Sequence, residues 1–391
     1  MHTYKHGVTS ASMTFLSFAM PASMLGVMWP EVRVRFGQTL GTLGFVTLVY
    51  GLARTLTCAS GRRMIATMGT GASFVTTLAL LAASSAVLGG APTWPIFLAA
   101  VAGIGLTSGM LDSIGAVFIT RLGDVSSAGL IHGSYGVGAT IGPLIIAVVP
   151  TWRVGLFVSA AITLATLGLA YRTRHLWPPD SAQRAAQTDE GRVNRRAVLL
   201  SVGMFISLVG IEVSTGQWAH TYLTDHRGVS SRVAAIGVAG FWGGITVGRL
   251  GLSRPTVTRA IRRVGLPGLA TIAATLLVGV VVVPPIAATV LLAAVGIAIS
   301  PIVPTLFATT ADRVGVAHAQ RVAGWQLLAA NTGAIAAPSI TGTLVDRIGA
   351  GTIAVVWFAV IAAGIPLLLA AQPLHRMARP SSEPSEGPIP G

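Results

Sequence analysis

Long runs of apolar residues, separated by short polar connections, make up most of this chain. A helix needs about 20 apolar residues to cross the ~30 Å hydrocarbon core of a bilayer, and about twelve runs reach that length. Because a backbone in hydrocarbon must satisfy its own hydrogen bonds, the runs predict an all-α integral membrane fold. The predicted spans are 9–30, 39–58, 70–89, 95–119, 127–149, 153–171, 197–219, 231–250, 266–283, 285–309, 321–344 and 351–371.

Composition excludes a water-soluble protein. Hydrophobic residues form 52% of the chain and charged residues only 10%, whereas a soluble domain carries roughly 25% charged residues. The net charge of +14 does not indicate nucleic acid as a partner, because no basic stripe is interleaved with aromatic residues. The basic residues instead cluster in the short connections between apolar runs. This distribution is typical of membrane proteins and predicts a lipid bilayer as the partner of the chain.

The distribution of basic residues predicts the topology. If the spans alternate from a cytoplasmic N-terminus, only six of the 26 Lys and Arg residues fall outside: Arg33, Arg35, Arg153, Arg227, Arg232 and Arg347. The other twenty fall inside, as the positive-inside rule requires. We therefore expect a multi-pass protein of a bacterial plasma (inner) membrane, with a retained first helix and both termini in the cytoplasm.

Short matches at a nearly constant offset indicate an internal repeat. "YGLART" around Arg54 recurs as "ITVGRL" around Arg249, "TRLG" at 120–123 as "DRVG" at 312–315, and "GATIGP" at 138–143 as "GAIAAP" at 333–338. The offsets of 192 to 195 predict two parallel six-helix repeats, with a substrate site between them near the midplane. The predicted units are 1–171 and 197–376, joined by a cytoplasmic linker at 172–196 and followed by a disordered tail at 377–391.

Two carboxylates lie deep inside apolar runs. Asp112 precedes Arg121, at the inner end of the fourth span, by nine residues, which places it about 14 Å into the membrane. Glu212 lies in the seventh span. An acid in hydrocarbon is a functional-site hypothesis by default, and we predict that Asp112 and Glu212 couple transport to protons. The alternatives are binding of polar substrate groups by these acids, or a structural hydrogen bond between helices.

Other polar and aromatic residues embedded in the spans are candidates for substrate binding. Amides and hydroxyls replace the water lost by a hydroxyl-rich ligand, and aromatic rings cover its apolar face. The alternative for each is hydrogen bonding or packing between helices, and for His132 a proton relay or a helix cap. The candidates are His132, Tyr135, Gln217, Trp242, Trp325, Gln326 and Asn331.

Arg54 and Arg249 occupy equivalent inner ends of two spans. Both side chains are able to extend to lipid phosphate head groups, and in that case they need no role in transport. Their matched positions in the repeat keep a gating role open. Trp29 and Trp218 lie near the predicted outer boundary, where indoles commonly form an aromatic belt.

Six stretches carry a resemblance to a known family. They are "GVMWP" at 26–30, "SGRRMIATMGTG" at 60–71, "LIHGSYGVGATIGP" at 130–143, "EVSTGQWAHTYL" at 212–223, "FWGGITVGRL" at 241–250 and "GWQLLAANTGAIAAPSITG" at 324–342. With them the chain resembles the major facilitator superfamily, and within it the branch around fucose permease and similar sugar:proton symporters.

The resemblance implies proton-coupled alternating access, a monomer and a sugar or sugar-like substrate. It also implies a gating role for Arg62 and Arg63 in the loop after the second span. The family's loop carries an acid before its arginine, whereas no acid lies between Thr57 and Gly71 here. In the fourth span Asp112 matches the family's carboxylate, but Gly115 and Ala116 stand where the fucose-permease pattern has an asparagine.

The sequence therefore predicts a secondary transporter that imports a small polar solute together with protons. The alternative is proton-coupled efflux of a drug or amphipathic metabolite. A sensor on a transporter fold would be expected to carry an appended signalling domain, and the linker and tail are short. We expect no enzyme, cofactor or metal site, because no HExxH, Ser/His nucleophile or phosphate-loop motif occurs.

Overall fold

The computed structural model describes residues 2–122, 125–174 and 194–377, and these ranges contain helices and no β-strand. This confirms the all-α prediction. The helices are α1 His2–Phe36, α2 Thr42–Thr57, α3 Gly61–Met68, α4 Thr70–Gly90, α5 Trp94–Leu122, α6 Val125–Val148, α7 Trp152–Thr173, α8 Arg195–Thr221, α9 Ser231–Gly251, α10 Pro255–Val282, α11 Pro285–Ile299, α12 Ile302–Ala308, α13 Thr310–Val314, α14 Val316–Ile348 and α15 Thr352–Met377. A π-helical turn, Tyr222–His226, extends α8.

Ten helical segments of the described residues are long and apolar enough to cross a membrane, with α11 and α12 together forming one of them, and the bent pair α2–α3 is an eleventh candidate. The predicted span 285–309 forms two helices, α11 and α12, because Pro301 interrupts it. The predicted span 321–344 lies in α14, which is not among the ten. Gln326, Asn331 and several Gly, Ser and Thr residues lower the apolar content of α14, although it lies in the bundle against α8 and α2.

The two ends of the bundle are named here by their connections. The hydroxyls of Ser10 in α1 and Thr173 in α7 lie 2.9 Å apart, so the start of α1 and the end of α7 share one face. We call this the linker face, because α7 ends there before the linker, and we call the opposite end the distal face. Most of the predicted linker (172–196) and tail (377–391) lies outside the described residues.

A short helix followed by a glycine precedes a long helix at equivalent places in the two repeats. Gly69 (φ 81°, ψ 162°) separates α3 from α4, and Gly265 (φ 75°, ψ 162°) interrupts α10. Only glycine adopts these angles without strain. The segment before each glycine carries exposed arginines, among them Arg62 in α3 and Arg262 in α10. The repeat therefore extends to a pair of basic helices at the linker face.

The two halves meet through the same three helices of each repeat. Helices α1, α2 and α6 of the first half pack against α8, α9 and α14 of the second. Their sequence order within each half is the same, so this interface agrees with two parallel repeats around a central axis. Close helix approach at this interface needs small residues: a Cβ on Gly26 would lie 2.1 Å from the carbonyl oxygen of Gln217.

The halves are tied together at the distal face. Asp346, at the end of α14, accepts hydrogen bonds from the Gly41 amide and the Thr39 hydroxyl, both at 2.7 Å. Arg33 pairs with Asp225 across the same boundary at 3.4 Å. Beneath them a Cβ on Gly342 would lie 2.3 Å from the Gly41 carbonyl oxygen, so the two backbones are in direct contact. The distal end of the interface is closed.

Trp29 and Trp218 do not form the aromatic belt expected of them. Both side chains are buried, at 1% and 0% exposure. The indole N–H of Trp29 donates to the carbonyl of Leu40, and that of Trp218 donates to the carbonyl of Pro338. The belt interpretation was wrong because each N–H has a partner inside the bundle, which removes the reason for it to reach the interface.

A candidate substrate cavity between the halves

A cavity of about 590 Å³, its open side included, lies between the two halves. Helices α1, α2 and α6 contribute one wall, and α8, α9 and α14 contribute the other. Its polar lining residues are Ser23, Thr47, Tyr50, Arg54, Tyr135, Gln217, Trp242 and Asn331. The apolar remainder is made of small or branched side chains, including Ala22, Ala139 and Val213. The site therefore has the composition expected of a small-molecule pocket, apolar with a few placed polar groups.

Arg54 is the charged residue of the cavity wall, and Asp112 holds its guanidinium. Its Nε and a terminal nitrogen lie 2.8 Å and 2.7 Å from one carboxylate oxygen of Asp112. Both side chains are about 30% exposed. Two glycines of α5 permit this contact, because Cβ atoms at Gly105 and Gly109 would lie 2.4 Å and 2.1 Å from carbonyl oxygens of α2. The sequence "GLTSG" thus brings α2 and α5 close enough for a direct ion pair.

The second half contains a corresponding ion pair. A terminal nitrogen of Arg249 on α9 lies 2.9 Å from both carboxylate oxygens of Glu212 on α8. Glu212 is the more enclosed partner, with 12% of its side chain exposed against 28% for Arg249. The structure therefore joins all four predicted coupling and gating residues of the spans into two acid–arginine pairs. A gating role for the arginines and a coupling role for the acids remain predictions.

The two pairs are not copies of each other. The arginines are equivalent in the repeat, 195 positions apart, but the acids lie on helices that are not. At an offset of 191 to 195 from Asp112 the second half has "VPTLF" at 303–307, which holds no acid. At the same offset before Glu212, α1 has "SFAMP" at 17–21. Each repeated arginine is thus paired with an acid on a helix that has no counterpart in the other pair: α5 for Arg54 and α8 for Arg249. The two acids therefore have different surroundings.

Two buried polar atoms in the cavity wall lack a partner. Gln217 and Trp242 are only 7% and 6% exposed. The Gln217 amide donates to the Ala22 carbonyl at 3.2 Å, but its oxygen accepts no hydrogen bond from the described residues, and neither does the Trp242 indole N–H find an acceptor there. Each buried donor or acceptor that lacks a hydrogen bond lowers the stability of the protein by about 1–3 kcal/mol. A ligand that both accepts and donates hydrogen bonds would satisfy the two atoms.

Tyr135, Gln217, Trp242 and Asn331 line the cavity, as the substrate-binding prediction requires of them. Tyr135 packs against Phe18, with ring centroids 5.2 Å apart. His132 lies one turn before Tyr135 and is exposed beside the cavity wall rather than in it. Its ring packs edge-on against Phe15, with ring centroids 5.7 Å apart.

Trp325 and Gln326 lie away from the cavity. Trp325 is 52% exposed, whereas Gln326 is fully buried and accepts a hydrogen bond from the Thr310 hydroxyl at 3.0 Å. Helix geometry explains why Asn331 differs from Gln326. The two residues are five positions apart, so their side chains point about 140° apart around the helix axis. Asn331 therefore faces the other half while Gln326 joins α14 to α13, and their substrate-binding roles are not supported by contact with the cavity.

Arg62 and Arg63 lie on α3, outside the cavity, and both are exposed. The start of α3 is fixed near the first ion pair, because the Gly61 amide donates to the Ser113 hydroxyl at 2.9 Å, next to Asp112. Neither arginine forms an ion pair with another described residue. Their predicted gating role thus has a positional link to Asp112 but no direct contact.

Ser23, Thr47 and Tyr50 are cavity residues that the sequence analysis missed. Tyr50 had a usable signal, since it lies four residues before Arg54 and therefore on the same helical face. Ser23 and Thr47 had none, because a lone hydroxyl in an apolar run also satisfies itself within its own helix. Both do so here, with hydroxyls donating to the carbonyls of Met20 and Leu43.

The sequence profile of the Major Facilitator Superfamily matches residues 11–338. The chain belongs to the major facilitator superfamily. It is therefore a multi-pass membrane transporter, and the predicted superfamily is confirmed.

Among curated proteins, the glucose/galactose transporters of Brucella abortus biovar 1 (strain 9-941) and Brucella abortus (strain 2308) are each 34% identical over 161 residues. The match spans 40% of this chain and 37% of the length of those relatives.

Solved structures of similar fold cover almost the whole chain. A bacterial homologue of the human lysosomal transporter Spinster, in an inward-facing and unoccupied conformation, has a TM-score of 0.70 at 12% identity, covering 96% of this chain and 95% of that one. The nucleoside transporter NupG has a TM-score of 0.68 at 15% identity, covering 94% and 98%. At these identities the likeness shows the fold.

Proposed function

We propose that this transporter imports a small, hydroxyl-rich solute, a sugar or sugar-like compound, together with protons. The observation that carries the proposal is the pair of unpartnered buried atoms in the cavity, the Gln217 amide oxygen and the Trp242 indole N–H. A sugar hydroxyl both donates and accepts, so one ligand of this class satisfies both. The names of the two Brucella relatives, glucose/galactose transporters, support the same class.

The aromatic residues of the cavity suit the apolar faces of a sugar ring. A pyranose ring presents C–H groups on its faces, and aromatic rings cover such surfaces well. Trp242 from the second half and Tyr50 and Tyr135 from the first supply three rings around one space. Arg54 and Asn331 add donors for further hydroxyls. A ligand held in this way contacts both halves, which couples its binding to their rearrangement.

Proton coupling is assigned to Asp112 and Glu212. Protonation would remove the negative charge by which Asp112 holds Arg54, so loading the acid releases the guanidinium that lines the cavity. Arg54 is then free to donate to the solute, which links proton binding to solute binding through one side chain. Glu212 and Arg249 form a second acid–arginine pair with a different geometry, in which the same effect of protonation on the arginine applies. We assign the linker face to the bacterial cytoplasm on the basic-residue distribution, and a monomer as the working unit.

Counterflow in proteoliposomes tests the substrate class. Labelled glucose or galactose should exchange across the membrane, and Gln217→Leu and Trp242→Leu should each raise the KM about 10-fold by removing one hydrogen-bond partner. Trp325→Leu is the matched control, because Trp325 is exposed outside the cavity. Absence of exchange with all monosaccharides, or an equal effect of Trp325→Leu and Trp242→Leu, would contradict the proposal.

A further inference from the structure

A second crevice opens at the linker face within the second half and shares no lining residue with the cavity between the halves. Its volume is about 1710 Å³, the open solvent at its mouth included. Its walls come from α8, the first part of α10, α12 and α15. Most of its lining is apolar: Met204, Leu306 and Leu368 are buried, and Leu266 is half-buried. A largely apolar crevice at the level of a membrane surface is suited to a hydrocarbon chain.

Basic residues lie along one side of this crevice. Arg262 lines it, and Arg259 and Arg263 lie three residues before and one after on the same short helical segment. All three are exposed, and none of them forms an ion pair with another described residue. Their i, i+3 and i+4 spacing concentrates three positive charges on one side of the segment. The hinge at Gly265 sets this segment at an angle to the rest of α10.

Asp312 is the one acid of the crevice lining. It lies beside Arg313, whose buried guanidinium donates to the Thr309 and Thr310 hydroxyls and the Leu306 carbonyl. Burial lowers the pKa of Arg313 to about 10, with Asp312 acting in the opposite direction, so Arg313 is charged at neutral pH. Its charge offsets that of Asp312, and the arginines of α10 leave the mouth positive.

We propose that the crevice binds an anionic phospholipid of the leaflet at the linker face, with an acyl chain between α8, α10 and α15. Arg262, Arg259 and Arg263 contact its phosphate. The charge complementarity selects an anionic head group over a zwitterionic one, and the apolar lining selects a lipid over a free phosphate. Because the site is formed by helices of one half, it does not depend on the substrate proposed for the central cavity.

Native mass spectrometry of the full chain in detergent tests this site, with phosphatidylglycerol and phosphatidylcholine as probes at equal concentration. We expect retention of phosphatidylglycerol and weaker retention of phosphatidylcholine. The double variant Arg262→Gln/Arg263→Gln should weaken phosphatidylglycerol binding about 25-fold, or about 5-fold for each arginine–phosphate hydrogen bond that is lost. Ala308→Trp, at an exposed position of the lining, should block the acyl chain and give a similar loss while leaving folding intact.

The matched control is Arg62→Gln/Arg63→Gln. It removes the same charge from the equivalent short helix of the first half, which does not line the crevice, and we expect less than about a 2-fold change. An equal loss in both double variants would overturn the proposal in favour of diffuse surface attraction. Equal protection of the protein against heat by inorganic phosphate and by phosphatidylglycerol would overturn the acyl-chain part. Unchanged lipid binding in Ala308→Trp and Arg262→Gln/Arg263→Gln would show that no such site exists.

Discussion

Arg54 donates two hydrogen bonds to a single oxygen of Asp112, across the closest approach of α2 and α5. The repeat places Arg249 at the equivalent position, yet Arg249 reaches Glu212 on α8 instead of an acid on the helix equivalent to α5. The transporter thus holds two repeated arginines with two acids that are not repeated. This asymmetry gives a physical reason to expect different roles for the two acids.

Neutralising either acid should separate coupled transport from exchange. Asp112→Asn and Glu212→Gln should each lower uphill accumulation of solute more than about 10-fold. Equilibrium exchange should change far less, because the amide keeps the shape of the site but no longer binds a proton. Both rates are measured in the same proteoliposomes. Glu31→Gln is the control, since Glu31 contacts the Trp152 amide far from the cavity. A double mutant of Asp112 and Glu212 that still accumulated solute would contradict the coupling role.

Loss of one member of the more enclosed pair should destabilise the protein more than loss of both. Arg249→Gln leaves Glu212 charged at 12% exposure, and hydrogen bonds to charged groups contribute about 1.5–3 kcal/mol. The Tm of the purified protein should fall for Arg249→Gln and recover in part for Arg249→Gln/Glu212→Gln. Arg263→Gln, which removes an exposed arginine, should leave the Tm unchanged. A double mutant no more stable than the single one would show that the pair does not matter for folding.

Removing the distal contact of Asp346 should open the cavity towards the distal face. Asp346 holds the start of α2 through Gly41 and Thr39, and an intramolecular hydrogen bond contributes a net of about 1 kcal/mol. Because Cys58 is the single cysteine, Cys58→Ser/Ser23→Cys provides a reporter in the cavity wall. Asp346→Ala should increase labelling of this reporter by an impermeant reagent about 5-fold. The neighbouring Arg347→Gln should leave the labelling unchanged, and equal labelling in both variants would contradict a gate at Asp346.

The contact of α2 with α5 should not tolerate a methyl group. A Cβ on Gly109 would lie 2.1 Å from the Arg54 carbonyl oxygen, whereas a Cβ on Gly168 would meet nothing within 4 Å. Gly109→Ala should lower the Tm, because overpacking costs about 1–3 kcal/mol. Gly168→Ala should keep or raise it, since alanine is favoured over glycine inside a helix by about 0.5–1 kcal/mol. Equal Tm values for the two variants would contradict the tight packing described here.

Much of the fold was predictable from the sequence, since the lengths of the apolar runs and the offsets of the repeat are both read directly from it. Asp112, Glu212, Arg54 and Arg249 were also found from sequence, because charge in hydrocarbon is rare. Their pairing was not found, since Arg249 and Glu212 lie on different helices, 37 residues apart. The cavity lining was only partly predicted. Which face of α14 turns inward depends on packing against α2 and α8, and for this reason Asn331 lies in the cavity and Gln326 does not.

The most direct measurement is proton flux during solute addition. Proteoliposomes with a pH-sensitive dye in the outside medium receive pools of monosaccharides and then cationic drugs. Proton-coupled import predicts that monosaccharides make the outside medium more alkaline, and that Asp112→Asn abolishes this change. No response to any monosaccharide, together with drug-driven release of lumenal protons, would contradict import of a sugar-like solute and establish efflux instead.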